Sequence, residues 1–324
     1  MKIGAIVIGR NEGQRLIRCL QSLVDTNSIV YVDSGSTDSS VNSAKALGIE
    51  VVELDTTIPF TAARARNTGV YYLLQKYPDI EFIQFVDGDC EIADGWIEIS
   101  SQFLRENPDY AVVCGRRRER FPQASIYNQL CDIEWDTPIG DTLACGGDAL
   151  IRVSAFMHVN GYRDSMIAGE EPEMCYRLRG AGWKISRIDT EMTKHDAEMT
   201  RISQWWKRSK RAGHAYAESL YIHHSDVEKF RKRELVSILL WGLMLPVFIL
   251  VLSISLSGYW LIFSVVYPLQ VLRLYLAYRD GLSDKNALLY ACSNVLGKFA
   301  QLAGVISFVL KKVFGKDSLL IEYK

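Results

Sequence analysis

From Val236 to Leu256 the chain reads VSILLWGLMLPVFILVLSISL, 21 residues without a charge. A helix of that length in a soluble domain keeps a polar face, whereas a bilayer core of about 30 Å needs about 20 apolar residues in succession. The run is therefore expected to cross a membrane. Ser257 and Gly258 break it, and YWLIFSVVYPLQVLRLYLAY follows from Tyr259 to Tyr278, with Arg273 near its end where a long side chain can snorkel. The short break predicts a transmembrane hairpin over about 236–278. A third segment, Ala287 to Leu310, contains Asn294, Lys298 and Gln301 and is followed by Lys311, Lys312 and Lys316. These polar residues predict an interfacial amphipathic helix over about 287–312.

Flanking charge gives the hairpin a direction. Glu228-Lys229-Phe230-Arg231-Lys232-Arg233 precedes it, and Arg279 and Lys285 follow it, so the positive-inside tendency places both ends in the cytoplasm. MKIGAIVIGRNE holds only a brief apolar stretch before a strand and turn, so no cleaved signal peptide is expected. The expectation is a multi-pass protein of the cytoplasmic (inner) membrane, with residues 1–230 in the cytosol and 231–324 associated with the membrane. A truncation ending near Phe230 is then expected to be soluble. Seven cysteines without a CxxC pair fit neither a zinc site nor a disulfide framework and agree with a reducing compartment. A net charge of -1 gives no general attraction to nucleic acid.

The first 115 residues alternate strand-like runs (IGAIVI, SIVYVD, IEVVEL, IEFIQFVD, YAVVCG) with helical stretches. That rhythm predicts an α/β fold with a mostly parallel sheet, whose ligands bind at the carboxyl ends of the strands. Polar residues gather there: Arg10-Asn11-Glu12 after the first run, Asp33 to Asp38 after the second, Asp87-Gly88-Asp89 after the fourth. Asp-Gly alone is compatible with a turn, and two carboxylates at a strand end equally suit a divalent cation held with a substrate diphosphate. No GxGxxG follows the first strand and no GxxxxGK[ST] occurs, which counts against dehydrogenase and ATPase chemistry. A nucleotide pocket read by side chains remains, with Asp33 accepting from a base and Arg64 or Arg66 meeting phosphate.

VIGRNE, VDSGSTDSS, ARNTGV, FVDGD, GGDALIR and GEEPEMCYRLRGAGWKI occur in an order that resembles the family 2 glycosyltransferases, over about residues 3–190. The resemblance implies a GT-A (Rossmann-like) catalytic domain, followed here by the C-terminal membrane helices. It implies inverting transfer of a sugar from a nucleotide-sugar donor, with Mn²⁺ or Mg²⁺ as cofactor. Arg10, Asn11, Glu12, Asp33, Arg66 and Asp87 would then bind the donor, and Asp89, with Asp87, would match the metal motif. Glu170 and Glu171 match an acidic pair whose second member is the usual base, with Glu171 standing where Asp is more frequent. The first turn of a helix also favours both glutamates electrostatically. Gly146-Gly147-Asp148 resembles the acceptor-side segment, and His195 sits where several such enzymes place a further metal or diphosphate ligand. The stretch around Trp205 is only loosely similar to the QxxRW segment of processive synthases. Trp205 is thus a candidate on the acceptor side, and the basic residues after it are candidates for diphosphate or anionic lipid. The membrane segments favour a lipid-linked or glycan acceptor, as in cell-surface polysaccharide or glycolipid assembly. A sugar-phosphate nucleotidyltransferase and a non-catalytic membrane scaffold stay open as alternatives.

Overall fold

A computed structural model describes residues 2–226 and 230–315. Glu228, Lys229 and Lys316, used above in the charge argument, lie outside the described residues. The chain divides into two compact units: the first runs to Phe121 and resumes from Glu134 to Ala197, and the second takes Pro122–Ile133 and the described chain from Glu198 onward.

In the first unit, β1 (Lys2–Gly9), α1 (Gln14–Gln21), β2 (Ser28–Asp33), α2 (Ser40–Ala46), β3 (Glu50–Glu53), α3 (Ala62–Lys76) and β4 (Ile80–Asp87) follow the alternation expected from sequence. Next come β5 (Cys90–Ile92), α4 (Trp96–Glu106) and β6 (Tyr110–Glu119). After α5 (Ile126–Glu134) the order is β7 (Gly140–Asp141), β8 (Ala149–Arg152), α6 (Val153–His158), α7 (Glu170–Gly180) and β9 (Lys184–His195). The strands form one sheet in the order β3-β2-β1-β4-β8-β6-β9-β5, with β7 also on β9. β1 lies between β2 and β4, parallel to both, so chain connections leave it in opposite directions and open a crevice at the carboxyl ends of these strands.

Half of this sheet is parallel and half is mixed. β8 inserts antiparallel between β4 and β6, and β6 in turn runs parallel to β9. The insertion matters for function, because β8 starts directly after Gly146-Gly147-Asp148 and carries that segment to the end of β4.

Close approach of α3 to the sheet explains two glycines. A Cβ on Gly69 would stand 2.6 Å from Ile6, and one on Gly4 would press into Leu73. Thr61 caps α3 by accepting from the Arg64 backbone N–H at 3.0 Å. Phe85, Phe156 and Tyr162 pack with ring centroids 5.5–5.7 Å apart and close the core under the crevice.

The second unit is helical beyond Ala197: α8 (Ile202–Ile222), α9 (Lys232–Leu239), a π turn (Leu240–Met244), α10 (Leu245–Ser255), a 3₁₀ stretch (Gly258–Val265), α11 (Val266–Tyr278) and α12 (Asp284–Val313). Pro246 follows the π turn; it offers no N–H to the ladder and crowds the carbonyl four residues earlier, which explains the local widening. Lys232–Ser255, Gly258–Tyr278 and Asp284–Val313 are each long and apolar enough to cross a membrane. The third spans 30 residues where the sequence suggests an interfacial helix; at that length it is about 45 Å long. α8 and α12 cross closely, since a Cβ on Gly213 would collide with the Gln301 backbone and one on Gly304 with that of Lys210.

Candidate active site

Asp87 and Asp89 end β4 with Gly88 between them because the backbone turns back on β1. The Gly88 N–H donates to the Ile8 carbonyl at 2.8 Å, and a Cβ there would stand 3.1 Å from the same oxygen. The turn sends the two carboxylates to different partners.

Asp89 is buried and faces His195, whose Nε2 lies 3.3 Å from its Oδ2. Cys90 and His195 are directly paired across the antiparallel β5–β9 ladder, so ligand atoms of Asp89, Cys90 and His195 fall within 4.8 Å of one another. Glu119 at the end of β6 lies 3.8 Å from the other imidazole nitrogen, and Trp135 packs edge-on against the ring at 4.7 Å.

Asp87 joins a network of opposite charges. Arg66 projects from the first turns of α3, is 2 % exposed, and reaches Asp87 and Glu170 at 2.8 Å each and Glu171 at 3.3 Å. One guanidinium thus serves three carboxylates on β4 and α7. The other oxygen of Asp87 is 3.8 Å from Arg117, which pairs with Asp148 at 2.7 Å. Asp148 is fully buried; it accepts from the Asp87 backbone N–H at 3.1 Å and from Thr193 Oγ1 at 2.9 Å. Glu170 opens the helix after Gly169, whose φ of 77° suits glycine, and Glu171 follows it in the first turn. Burial, and then the neighbouring Glu170, pushes the Glu171 carboxyl up to about 7, against the pull of Arg66. Gly147 lies against this cluster: a Cβ would stand 2.6 Å from Arg66 Nη2, 2.9 Å from Asp87 and 3.2 Å from Glu171.

A second set organises the loops after β1 and β2. Asp33 accepts from the backbone N–H groups of Gly35 and Ser36 and from the hydroxyls of Tyr31 and Ser36. Asn11 accepts from the Thr37 N–H at 2.7 Å, and its own N–H donates to Ser36 Oγ at 2.9 Å, tying the two loops together. Arg10 is exposed and lies 4.8 Å above the Phe60 ring, while Glu12 pairs with Arg15 at 2.9 Å. Arg64 turns away to donate to the carbonyls of Ile58 and Pro59.

The structure thus brings Asp87, Glu170, Glu171, Arg66, Gly147 and Asp148 into one cluster, with Asp89 and His195 on the other side of the Gly88 turn. Arg66 and Asp148 are among carboxylates and cations of the protein itself. Trp205 belongs to the second unit, buried on α8 and 3.8 Å from where a Cβ on Gly297 would stand. Arg117, Glu119, Trp135 and Thr193 complete the site without having been singled out from sequence. A sequence signal for the first two is the RRRE run directly after the strand-like YAVVCG.

Residues 5–157 match the family described as Glycosyl transferase family 2. The chain is 25% identical over 219 residues to the O-antigen chain rhamnosyltransferase RfbN of Salmonella typhimurium, covering 62% of this chain and 68% of that protein. It is 26% identical over 238 residues to the pre-mycofactocin glycosyltransferase of Mycobacterium tuberculosis, covering 69% of this chain and 48% of that relative, about half its length. Among solved structures, the mannosyltransferase PcManGT from Pyrobaculum calidifontis, in complex with GDP-Man and Mn²⁺, matches with a TM-score of 0.54 at 15% identity, over 98% of this chain and 88% of that one. S. aureus TarS matches with a TM-score of 0.52 at 14% identity, over 94% of this chain and 55% of that one. At such identities the structural matches carry the fold, which is that of the GT-A glycosyltransferases.

Proposed function

We propose that the chain carries a family 2 glycosyltransferase domain and transfers a sugar, with inversion, from a nucleotide-sugar donor to a lipid-linked or glycan acceptor at the cytoplasmic face of the inner membrane. The observation that carries this reading is Glu171: a carboxyl raised to about 7, standing across Gly147 from Asp87. A proton acceptor works best when its pKa lies near the operating pH.

Glu171 would take the proton of the acceptor hydroxyl as that oxygen attacks the anomeric carbon from the face opposite the leaving diphosphate. Arg66 orients Glu171 and Glu170, and the bare backbone of Gly147 leaves room for the sugar beside them. The loops tied by Asn11 and Asp33 would seat the nucleoside, with Arg10 and Glu12 at their rim.

Asp89 and His195, with Asp87 beside them, fit a divalent cation. A carboxylate oxygen of Asp89, the Cys90 thiol and an imidazole nitrogen of His195 lie within 4.8 Å of one another, while Asp87 falls in a separate group with Cys90 and Asp148; the oxygen and nitrogen donors suit Mn²⁺, and Mg²⁺ is the alternative. When bound, the cation would stabilise charge on the departing diphosphate as a Lewis acid. The similarity to an O-antigen rhamnosyltransferase supports a place in cell-surface polysaccharide or glycolipid biosynthesis. The three apolar helices support an acceptor delivered by membrane lipids.

The test is a panel of nucleotide sugars offered to the full chain in detergent, with and without Mn²⁺. Cation-dependent release of nucleoside diphosphate from one of them is expected, and Asp89→Ala should abolish it without loss of helical or sheet signal. Equal turnover in Asp89→Ala would remove the cation site from this position.

A further inference from the structure

Arg116 on β6 and Arg187 on β9 are almost fully buried, at 5% and 3% exposure, on neighbouring parallel strands. Both reach the same atom, Oδ1 of Asp136, at 3.3 Å each. The Asp136 side chain is 61% exposed, so two guanidiniums held inside the protein share one oxygen that stands in water. Arg187 Nε is buried with no hydrogen-bond partner.

A structural lock of the same composition occurs elsewhere in this unit and looks different. Glu173 is 0% exposed, and Arg163 and Arg177 hold its two oxygens at 2.5 and 2.7 Å. Charge-assisted bonds of that kind typically measure about 2.7–2.9 Å. The Asp136 contacts are longer, converge on one oxygen, and leave Nε of Arg187 without a hydrogen-bond partner. A phosphoryl group carries more charge than a carboxylate and three acceptor oxygens, which the planar guanidinium fork matches well.

Position gives the pair its meaning. Trp135 lies 5.4 Å from the Arg117 guanidinium and 4.7 Å from the His195 ring, so Trp135-Asp136 runs alongside Arg117-Arg116. The same stretch of chain continues to Gly146 and Gly147. We propose that Arg116 and Arg187 form a second oxyanion subsite, distinct from the donor's diphosphate site, for the phosphoryl group of an anionic acceptor, with Asp136 as the counter-ion that the phosphate displaces. Its assignment to an acceptor rests on the glycosyltransfer reading; the binding of the oxyanion does not.

The experiment uses the full chain in non-ionic micelles with EDTA, so that no cation holds a diphosphate at Asp89. Inorganic pyrophosphate and dodecyl phosphate are titrated separately by calorimetry. Arg187→Gln should weaken both about 10-fold or more, the worth of one charge-assisted bond to phosphate. Asp136→Asn should tighten both by removing the competing carboxylate. Unchanged binding in Arg187→Gln, or weaker binding in Asp136→Asn, overturns the subsite; if Arg187→Gln does not fold, the exposed Asp136 variant decides alone. Stronger binding of dodecyl phosphate than of inorganic pyrophosphate identifies a lipid headgroup as the source, and equal binding identifies free phosphate. Mn²⁺-dependent nucleotide-sugar hydrolysis, measured on the same proteins, separates the two readings. A wild-type protein that binds pyrophosphate through Arg187 and hydrolyses no nucleotide sugar overturns the transferase reading alone.

Discussion

Arg66 Nη1 lies 3.3 Å from Oε1 of Glu171, and this contact opposes the burial and the Glu170 charge that push the Glu171 carboxyl up to about 7. A base must be deprotonated, so transfer should rise with pH through about 7 and level off above it. Glu171→Gln should lower the transfer rate by about 10²-fold or more and leave donor affinity nearly unchanged, because Gln keeps the shape and cannot take a proton. Transfer rate under saturating acceptor, paired with donor calorimetry, checks both halves. Should Glu170→Gln be the slow variant instead, the base is Glu170. The linkage has a definite sign: a carboxyl raised in the folded state binds its proton more tightly than in the unfolded chain. Stability from this group is therefore present below about pH 4.5 and lost as pH rises toward 7. In Glu171→Gln that slope should shrink.

Removing the cation from the cluster should be worse than removing the base. Arg66→Met leaves Asp87, Glu170 and Glu171 facing one another with no guanidinium between them. Breaking a buried charge network in this way typically costs about 3–5 kcal/mol. Thermal unfolding should show a marked drop, and whatever activity survives should have its pH limb displaced above that of wild type, since Arg66 is what lowers Glu171. Arg66→Lys should rescue only part, because a point charge cannot bridge three carboxylates as a planar fork does. A wild-type pH limb in Arg66→Met would show that the two side chains are uncoupled.

Gly147→Ala tests the close approach of backbone to the cluster. The added methyl would stand 2.6 Å from Arg66 Nη2 and 2.9 Å from Asp87, so a fixed ion pair must shift. Transfer should fall by at least about 10-fold, the equivalent of roughly 1.4 kcal/mol of misplacement, with the unfolding temperature much less affected than in Arg66→Met. Full activity in the alanine variant would place the acceptor elsewhere.

Near-continuous apolar runs made β1, β2 and β4 legible, because these strands are buried on both faces along most of their length and bounded by polar loops. The carboxyl ends were legible for the same reason: Asp33, Asp87 and Asp89 are polar residues at places where apolar strands stop. What sequence does not carry is pairing between distant strands. β8, four residues long, slots antiparallel between β4 and β6, and only that insertion brings Asp148 to the Asp87 backbone and Arg117 to Asp148. Arg66 shows the same limit. A helix-start arginine looks like a phosphate contact, and the three carboxylates that surround it come from residues 21 and about 104 positions away. The 30-residue α12 is a different case: Lys298 and Gln301 suggest an interface, and the helix is also long and apolar enough to cross a bilayer.

The helix pair of the second unit bears on where the chain can be cut. From sequence alone, a truncation ending near Phe230 is expected to be soluble, because it removes every long apolar segment. The packing of α8 on α12 argues the other way: Gly213 meets Gln301, Gly304 meets Lys210, and Ala217 is buried with Ile238, Val305 and Phe308. Cutting at Phe230 strips α12 from α8 and leaves the face carrying Gly213 and Ala217, which packs on α12, open to water. Such faces drive association when a partner is missing. The truncated chain should therefore aggregate in buffer and be recovered by non-ionic detergent, as read by size-exclusion chromatography with light scattering. In the full chain, Gly213→Leu should loosen the same crossing and lower the unfolding temperature, because the helices cannot stay in contact around a larger side chain. A monodisperse, detergent-free monomer ending at Phe230 would mean that α8 needs no cover, and the Gly213–Gln301 contact would then contribute little to the fold.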